Sequence, residues 1–348
     1  MKISHLNQRI TERSSLTLLD LVLAHNNDYG FDPINALSRP LRAVPNVSVI
    51  IPYYETGRLV CNTLRHLYNS IAAVLAAYPK WHYEVILLDD GSQHIHANNV
   101  LNSADWQNLT ILSTSLNQGR TLTRNQGLQF ARYEKCVFMD SDIFIDTTLL
   151  LNNLRLHCVN LLQNRRNSIT IALFENKIDP VITDYDGTLH SVDLRINDFR
   201  SQCTYQEGWI GCESDKAFIS QEFHLVSETN FFRQWKGQFG PWCLTNMVLG
   251  GFFMVDRNSA LAVSGFDSMF AGYGFTETSL PTKLIAKYND FLIPQTVGGA
   301  VHHEGNPAHN DLDTRNKNFR EKHDLYFNHY LRLPAEEAIS RPLHGWNV

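Results

Sequence analysis

The sequence predicts an α/β protein with a mostly parallel central sheet, flanking helices, and an N-terminal helical extension ahead of a single main domain. Three observations carry that expectation. Short β-branched runs recur, the clearest being Val47-Ser48-Val49-Ile50-Ile51-Pro52, and such runs are typical of parallel strands buried on both faces. Segments of helical periodicity separate them, giving the strand-helix order of a sheet with helices on both sides. Three strands then stop in polar clusters, Pro52-Tyr53-Tyr54-Glu55, Asp89-Asp90-Gly91-Ser92 and Asp140-Ser141-Asp142. Ligands of open α/β sheets sit in the crevice beyond such strand ends.

Taken in order, residues 1–45 carry a helical pattern through Leu16, Leu19 and Leu23, then an irregular Pro-rich approach. This extension is expected to pack on the main domain or on a partner subunit, which makes it a candidate homodimer arm. Residues 46–147 hold strand Val47–Pro52, helix Leu59–Tyr78, strand Tyr83–Leu88, strand Leu109–Leu112, helix Thr121–Arg132 and strand Lys135–Met139. Asp89 and Asp90 can also close a turn, since Asp bonds readily to its own backbone. Residues 148–310 are less regular. Ile169–Phe174 reads as a strand, and 197–211 and 228–242 read as aromatic, loop-like segments. Trp209, Trp235 and Trp242 can either stack on a sugar ring or anchor a core. Strand Leu249–Val255 follows, with Gly250 and Gly251 near its start where a backbone can approach a ligand, then a helix from Ser279 to about Tyr288 and a short strand, Val297–Val301. Residues 311–348 form a helical tail.

Composition excludes several classes. The 348 residues are 43% hydrophobic and 19% charged with a net charge of -5, an ordinary globular balance without the basic footprint of a nucleic-acid binder. No CxxC spacing appears among the six cysteines, which read as reduced thiols of a cytoplasmic protein. The N-terminus has no signal-peptide pattern. No apolar run approaches the roughly 20 residues of a spanning helix, so no integral membrane segment is expected, while peripheral association stays open.

The chemistry begins at Asp140 and Asp142. Side chains at i and i+2 of an extended chain share a face, so both carboxylates can address one hard cation, Mg²⁺ or Mn²⁺, that keeps positions open for phosphate oxygens.

With these residues placed, the chain resembles, from about Val47 to Pro307, the GT-A (Rossmann-like) fold of inverting nucleotide-sugar glycosyltransferases of family 2. Val47 to Glu55 is similar to that family's opening strand and loop, with Pro52, Tyr54 and Glu55 beside the donor. Val85 to Ser92 resembles its second strand, whose terminal aspartate, here Asp89 or Asp90, bonds the base. Asn117-Gln118-Gly119-Arg120 and Thr123-Arg124-Asn125-Gln126-Gly127 resemble the segment lining the nucleoside diphosphate, and Asp140-Ser141-Asp142 its metal-binding DxD. The second half resembles a galactosyltransferase-type module through Gly250-Gly251-Phe252-Phe253, Gly265-Phe266-Asp267 and Phe270-Ala271-Gly272-Tyr273-Gly274-Phe275. Aligned on Leu280, Glu277 stands where that module has its catalytic Asp, Thr276 replaces a Glu, and Ser279 replaces an acidic residue. The resemblance makes 46–147 the nucleotide-sugar-binding half and 148–310 the acceptor-binding and catalytic half.

What it implies is a metal-dependent, inverting transfer of a hexose or N-acetylhexosamine from a UDP-linked donor to a sugar or small-molecule hydroxyl acceptor. The product would belong to a polysaccharide or a glycosylated metabolite. The cation on Asp140 and Asp142 would neutralise the leaving diphosphate, Arg120 or Arg124 would add a charge-assisted contact to phosphate, and Glu277 would be the general base. His302 or His303 would complete the metal site, one rather than both, because adjacent residues of a strand face opposite sides. Two alternatives remain open: a retaining transferase, and an impaired sugar-nucleotide binder suggested by Thr276 and Ser279. A nucleotidyltransferase is disfavoured, because Tyr53-Tyr54-Glu55-Thr56-Gly57 is not its glycine-rich basic loop.

Overall fold

The computed structural model describes residues 15–25, 33–177, 198, 200, 243–303 and 312–343. Trp209, Trp235, Trp242, Cys203, Cys212 and the segments 197–211 and 228–242, apart from Asp198 and Arg200, lie outside the described residues. The strands are β1 (Val47–Tyr53), β2 (Tyr83–Asp89), β3 (Leu109–Ser113), β4 (Lys135–Met139), β5 (Ile143–Ile145), β6 (Ser168–Lys177), β7 (Phe252–Asp256) and β8 (Phe291–His303). They form one sheet in the order β3-β2-β1-β4-β7-β6-β8-β5. β3, β2, β1 and β4 are mutually parallel, and so are β6 and β8. β7 runs antiparallel to both its neighbours, and β5 antiparallel to β8. The sheet is therefore mixed but mostly parallel, as the GT-A expectation requires.

Alternation along the strands splits the core into two layers. Val49, Ile51, Val85, Leu87, Val137 and Met139 face one side. Ile50, Ile86, Leu88 and Phe138 face the other, as the period of two in an extended chain dictates. Helix α1 (Leu18–Ala24) opens the described chain, and α2 (Leu59–Ala77) buries Val60, Leu64, Leu67, Ile71 and Val74 on the first layer. Helix α3 (Arg120–Phe130) lies on the second, so close that a Cβ at Gly127 would stand 2.3 Å from Ile50 Cγ2. Helices α4 (Leu149–Asn164), α5 (Ser279–Tyr288) and α6 (Leu312–Asp324) complete the flanks.

The N-terminal extension packs on this body. Thr17 and Asp20 cap α1 reciprocally, and Leu18, Leu19 and Val22 join the second layer. Leu18 N donates to Leu333 O and Ala335 N to Leu16 O, which ties the extension to the C-terminal tail.

Two strands depart from expectation. β8 runs for thirteen residues rather than the five of Val297–Val301, because Pro294 pairs in register with Ile171 and the interruption at Gly298-Gly299 is absorbed by a register shift against β6. β5 was not expected; it is three residues long and begins directly after Asp142.

Candidate active site

Register explains why the polar strand ends meet. Tyr53 pairs with Asp89, and Ile50 with Phe138, so the carboxyl ends of β1, β2 and β4 stand at nearly one level. The antiparallel pair Met139 and Phe252 places Gly250-Gly251 beside Asp140. The pair Ile143 and His302 places the histidines beside Asp142. Above these ends opens a cleft of about 270 Å³, lined by Pro52, Tyr53, Tyr54, Thr56, Asp90, Asn117, Gly119, Arg120, Asp140, Ser141, Asp142, Gly272 and Tyr273.

The two adjacent aspartates of β2 separate in role. Asp89 accepts from Ser92 N at 3.0 Å and Ala97 N at 2.8 Å, so it closes the turn and does not line the cleft. Asp90 does line it, and its two oxygens accept Gln118 N and Gly119 N, each at 2.8 Å. Burial raises the Asp90 pKa, opposed by those two amides. Glu55 is also corrected to a loop-building residue. At φ 53° it accepts the amides of Gln93, His94 and Ile95, which outweigh desolvation and lower its pKa. Tyr54 is the exposed lip of the cleft, 37% accessible.

The opposite wall is ionic. Arg120 is 40% exposed, with Nη1 3.9 Å from Asp140 Oδ2. Arg124, four residues on, is fully buried; its Nη2 donates to Asp140 Oδ1 at 2.7 Å and its Nη1 to Glu277 Oε1 at 2.6 Å. Of the two arginines expected at phosphate, only Arg120 therefore reaches the cleft. Burial raises the Asp140 pKa against the pull of Arg124 and Arg120. At Glu277 the desolvation that would raise the pKa is overcome by Arg124, by the Thr276 hydroxyl and by Arg120, and the carboxyl is held low. A Cβ on Gly250 would lie 2.6 Å from Arg124 Nη2, 2.7 Å from Asp140 Oδ2 and 2.7 Å from Glu277 Oε1. Gly250 thus closes the back of this junction and does not line the cleft, while Gly251 faces Ile143 and Phe174. The Ser279 hydroxyl, at the position of an expected acid, accepts the Asp267 amide at 2.9 Å.

The histidines separate as the strand geometry requires. His302 Nε2 lies 3.6 Å from Asp142 Oδ1, and that carboxylate outweighs burial to raise the imidazole pKa. His303 tilts against Phe144, ring centroids 6.1 Å apart. Asp140, Asp142 and His302 supply two carboxylates and an imidazole around one strand end, donor types that suit Mn²⁺ or Mg²⁺. They are not drawn together into a preformed cluster of three ligands among the described residues.

Sequence reasoning missed Thr56, whose hydroxyl bonds that of Ser141 at 2.7 Å and so ties the β1 loop to the aspartate turn. It also gave no role to Gly272 and Tyr273, although their glycine-aromatic run marked an unusual loop. Gly272 at φ 99° and Gly274 at φ 94° carry that loop over the cleft, and Phe319 of α6 packs against Gly274 from behind.

Fold and site together define a mixed α/β sheet with an acidic, arginine-walled cleft at its strand ends. Residues 48–179 match the family model described as "Glycosyl transferase family 2". It is 30% identical over 108 residues to the poly(ribitol-phosphate) beta-glucosyltransferase of Bacillus spizizenii (strain ATCC 23059 / NRRL B-14472 / W23), covering 30% of this chain and 16% of that protein. It is 31% identical over 133 residues to the uncharacterized glycosyltransferase YfnE of Bacillus subtilis (strain 168), covering 38% of this chain and 30% of that one. The chain thus spans well under a third of the length of the first relative. Residues 1–349 of S. aureus TarS, solved in complex with UDP, superpose with a TM-score of 0.46 at 14% identity, over 74% of this chain and 60% of that one.

Proposed function

We propose that this chain is a metal-dependent, inverting glycosyltransferase that moves a hexose or N-acetylhexosamine from a UDP-linked sugar to a hydroxyl acceptor. The observation that carries the reading is the convergence of Asp90, Arg120, Asp140 and Asp142 on one strand-end cleft, within the segment that matches family 2.

Each residue has a part. Asp90 braces the Gln118-Gly119 backbone, so the loop that faces the donor is fixed before binding. Asp140 and Asp142, with His302, would hold the divalent cation. When bound, that cation supplies Lewis-acid stabilisation of the leaving diphosphate. Arg120, half-exposed on the cleft wall, adds a charge-assisted bond to a phosphate oxygen. Tyr54 at the lip offers an aromatic face to the nucleoside. Glu277 accepts the proton of the acceptor hydroxyl as that oxygen attacks the anomeric carbon from the side opposite the diphosphate, which inverts the centre. The carboxylate held low by Arg124 is ionised and ready to accept. No helix among the described residues is long and apolar enough to cross a membrane, and we place the enzyme in the cytoplasm acting on a soluble or peripherally presented acceptor.

A panel of nucleotide sugars, scored by thermal shift and slow donor hydrolysis with and without Mn²⁺, tests the reading. Binding should raise the melting temperature by mass action, only with metal, and Asp142→Ala should abolish the metal effect. Failure of every nucleotide sugar to bind would sink the proposal; binding with neither transfer nor hydrolysis would favour an impaired binder.

A further inference from the structure

Arg124 is the most tightly enclosed charged group of the site. It sits on α3 one turn beyond Arg120, with no exposed surface, and its Nε finds no hydrogen-bond partner among the described residues. Its terminal nitrogens reach two carboxylates from distant parts of the chain, Asp140 after β4 and Glu277 before α5. The Thr276 hydroxyl lies 3.3 Å from Nη1 and also donates to Glu277 Oε1. Gly250 seals the remaining side so closely that no side chain fits there.

A buried guanidinium is tolerated only while its charge is matched, and here the match is divided between the two carboxylates. Its rigid planar fork fixes how they stand relative to each other, which a lysine ammonium could not do. A divalent cation that draws Asp140 Oδ1 toward itself competes with Nη2 for that oxygen. The charged partner left to the guanidinium is then Glu277. By reciprocity, a change at Glu277 must alter the affinity of Asp140 for the cation by the same factor.

Resting on the reading above, we propose that Arg124 is a positioning residue coupling the metal-nucleotide end of the site to the base, so that occupancy at Asp140 sets the grip on Glu277. It touches no donor atom. Arg120 also pulls on both carboxylates, but from the partly exposed cleft wall, 3.9 Å from Asp140.

The test is a binding cycle that needs no turnover: the dissociation constant of UDP in the presence of Mn²⁺, by calorimetry, for wild type, E277Q, R124K and the double variant. Loss of the Glu277 charge turns the whole guanidinium toward Asp140 and weakens Mn²⁺-UDP binding. The expected effect is about 5-fold or more, the lower edge of ordinary coupling between sites. In the R124K background the charge remains but the bridge does not, so E277Q should change affinity by no more than about twofold. Equal effects of E277Q in both backgrounds, or no effect in either, would overturn the proposal, because the two carboxylates would then be independent or coupled through space alone. Should R124K not fold by circular dichroism, Thr276→Val serves instead. It removes the hydroxyl shared by Arg124 and Glu277 without altering charge, and the E277Q effect should shrink at least twofold; an undiminished effect refutes the coupling. Wild type that binds no Mn²⁺-UDP would refute the functional reading itself, an outcome visible before any variant is compared.

Discussion

Replacing Gly250 by alanine sets two opposed effects against each other within the site. Its φ lies outside the left-handed region, so alanine is permitted by the backbone. On unfolded-state entropy alone the change would stabilise by about 0.4–1 kcal/mol. Against this, the added methyl would stand 2.6–2.7 Å from Arg124 Nη2, Asp140 Oδ2 and Glu277 Oε1. Overpacking of this kind costs ~1–3 kcal/mol. The ends of Arg and Glu side chains usually yield cheaply, but here both are held by one another, and a group forced out leaves a buried charge unpaired, worth about 3–5 kcal/mol. The steric term wins, and with the entropic gain subtracted we expect Gly250→Ala to lower stability by about 1–2 kcal/mol net. Gly251→Ala is the internal control: its methyl would meet Ile143 and the Phe174 ring at 3.0 Å, apolar neighbours only. Urea unfolding measures both losses and nucleotide titration with Mn²⁺ measures the site. Both variants should be destabilised, but only Gly250→Ala should lose Mn²⁺-dependent nucleotide binding, by about tenfold, the 1.4 kcal/mol equivalent of a disturbed carboxylate. Wild-type stability and binding in Gly250→Ala would show that Arg124, Asp140 and Glu277 are not packed as a unit.

Asp290, almost fully buried with neither carboxylate oxygen hydrogen-bonded among the described residues, has its pKa pushed from 3.8 to about 7 by burial, then by Asp256, against Lys135. The folded state thus binds the extra proton between those values, and stability should fall as pH rises through that window, by at most about 1.4 kcal/mol per pH unit. Asp290→Asn should flatten this slope in denaturant titrations; an unchanged slope would refute the assignment. His157, pulled from 6.5 to about 3 by burial, acts in the opposite sense and keeps a loss of stability on the acid side in that variant. His302→Ala should weaken Mn²⁺ affinity about 10-fold or more, whereas His303→Ala should leave it within twofold and cost packing against Phe144; equal effects would refute the separation of the two rings. Asp90→Asn keeps one acceptor for two amides and should cost about 1–3 kcal/mol, with faster hydrogen exchange at Gln118 and Gly119; unchanged exchange there would show that the carboxylate does not brace that loop.

What the sequence could show followed from how local the signal was. The parallel strands were legible because strands buried on both faces must be apolar without alternation, and Val47 to Ile51 and Val85 to Leu88 are. Asp140 and Asp142 were legible because polarity begins abruptly at the end of such a run. Asp89 and Asp90 were not separable, since adjacent carboxylates differ only in the side of the strand end they face, and it took the Ser92 and Ala97 amides to claim the first. Arg120 and Arg124 share a helix face at four-residue spacing, and which of them is buried depends on Asp140 and Glu277, whose partnership no local pattern encodes. β5 is too short to carry periodicity, and the glycines of β8 looked like breaks because its bulge exists only against β6.

The same contrast explains how the site is assembled. Parallel pairing among β1, β2 and β4 aligns their carboxyl ends and therefore builds one wall of the cleft from residues 52–142, the stretch that family resemblance reads most easily. Parallel strands alone would leave Asp140 and Asp142 facing solvent without partners from the second half. The antiparallel strands change that: β7 enters from its glycine end beside Met139, and β5 doubles back from Asp142 onto β8. Each reversal carries a residue from the second half onto one of the two aspartates, Gly250 onto Asp140 and His302 onto Asp142. A fold with the same cleft wall but an unreversed β7 would have no backbone to close over Arg124. The link between the candidate metal carboxylate and the candidate base is therefore a property of sheet topology, carried by a glycine and an arginine with no catalytic chemistry of their own.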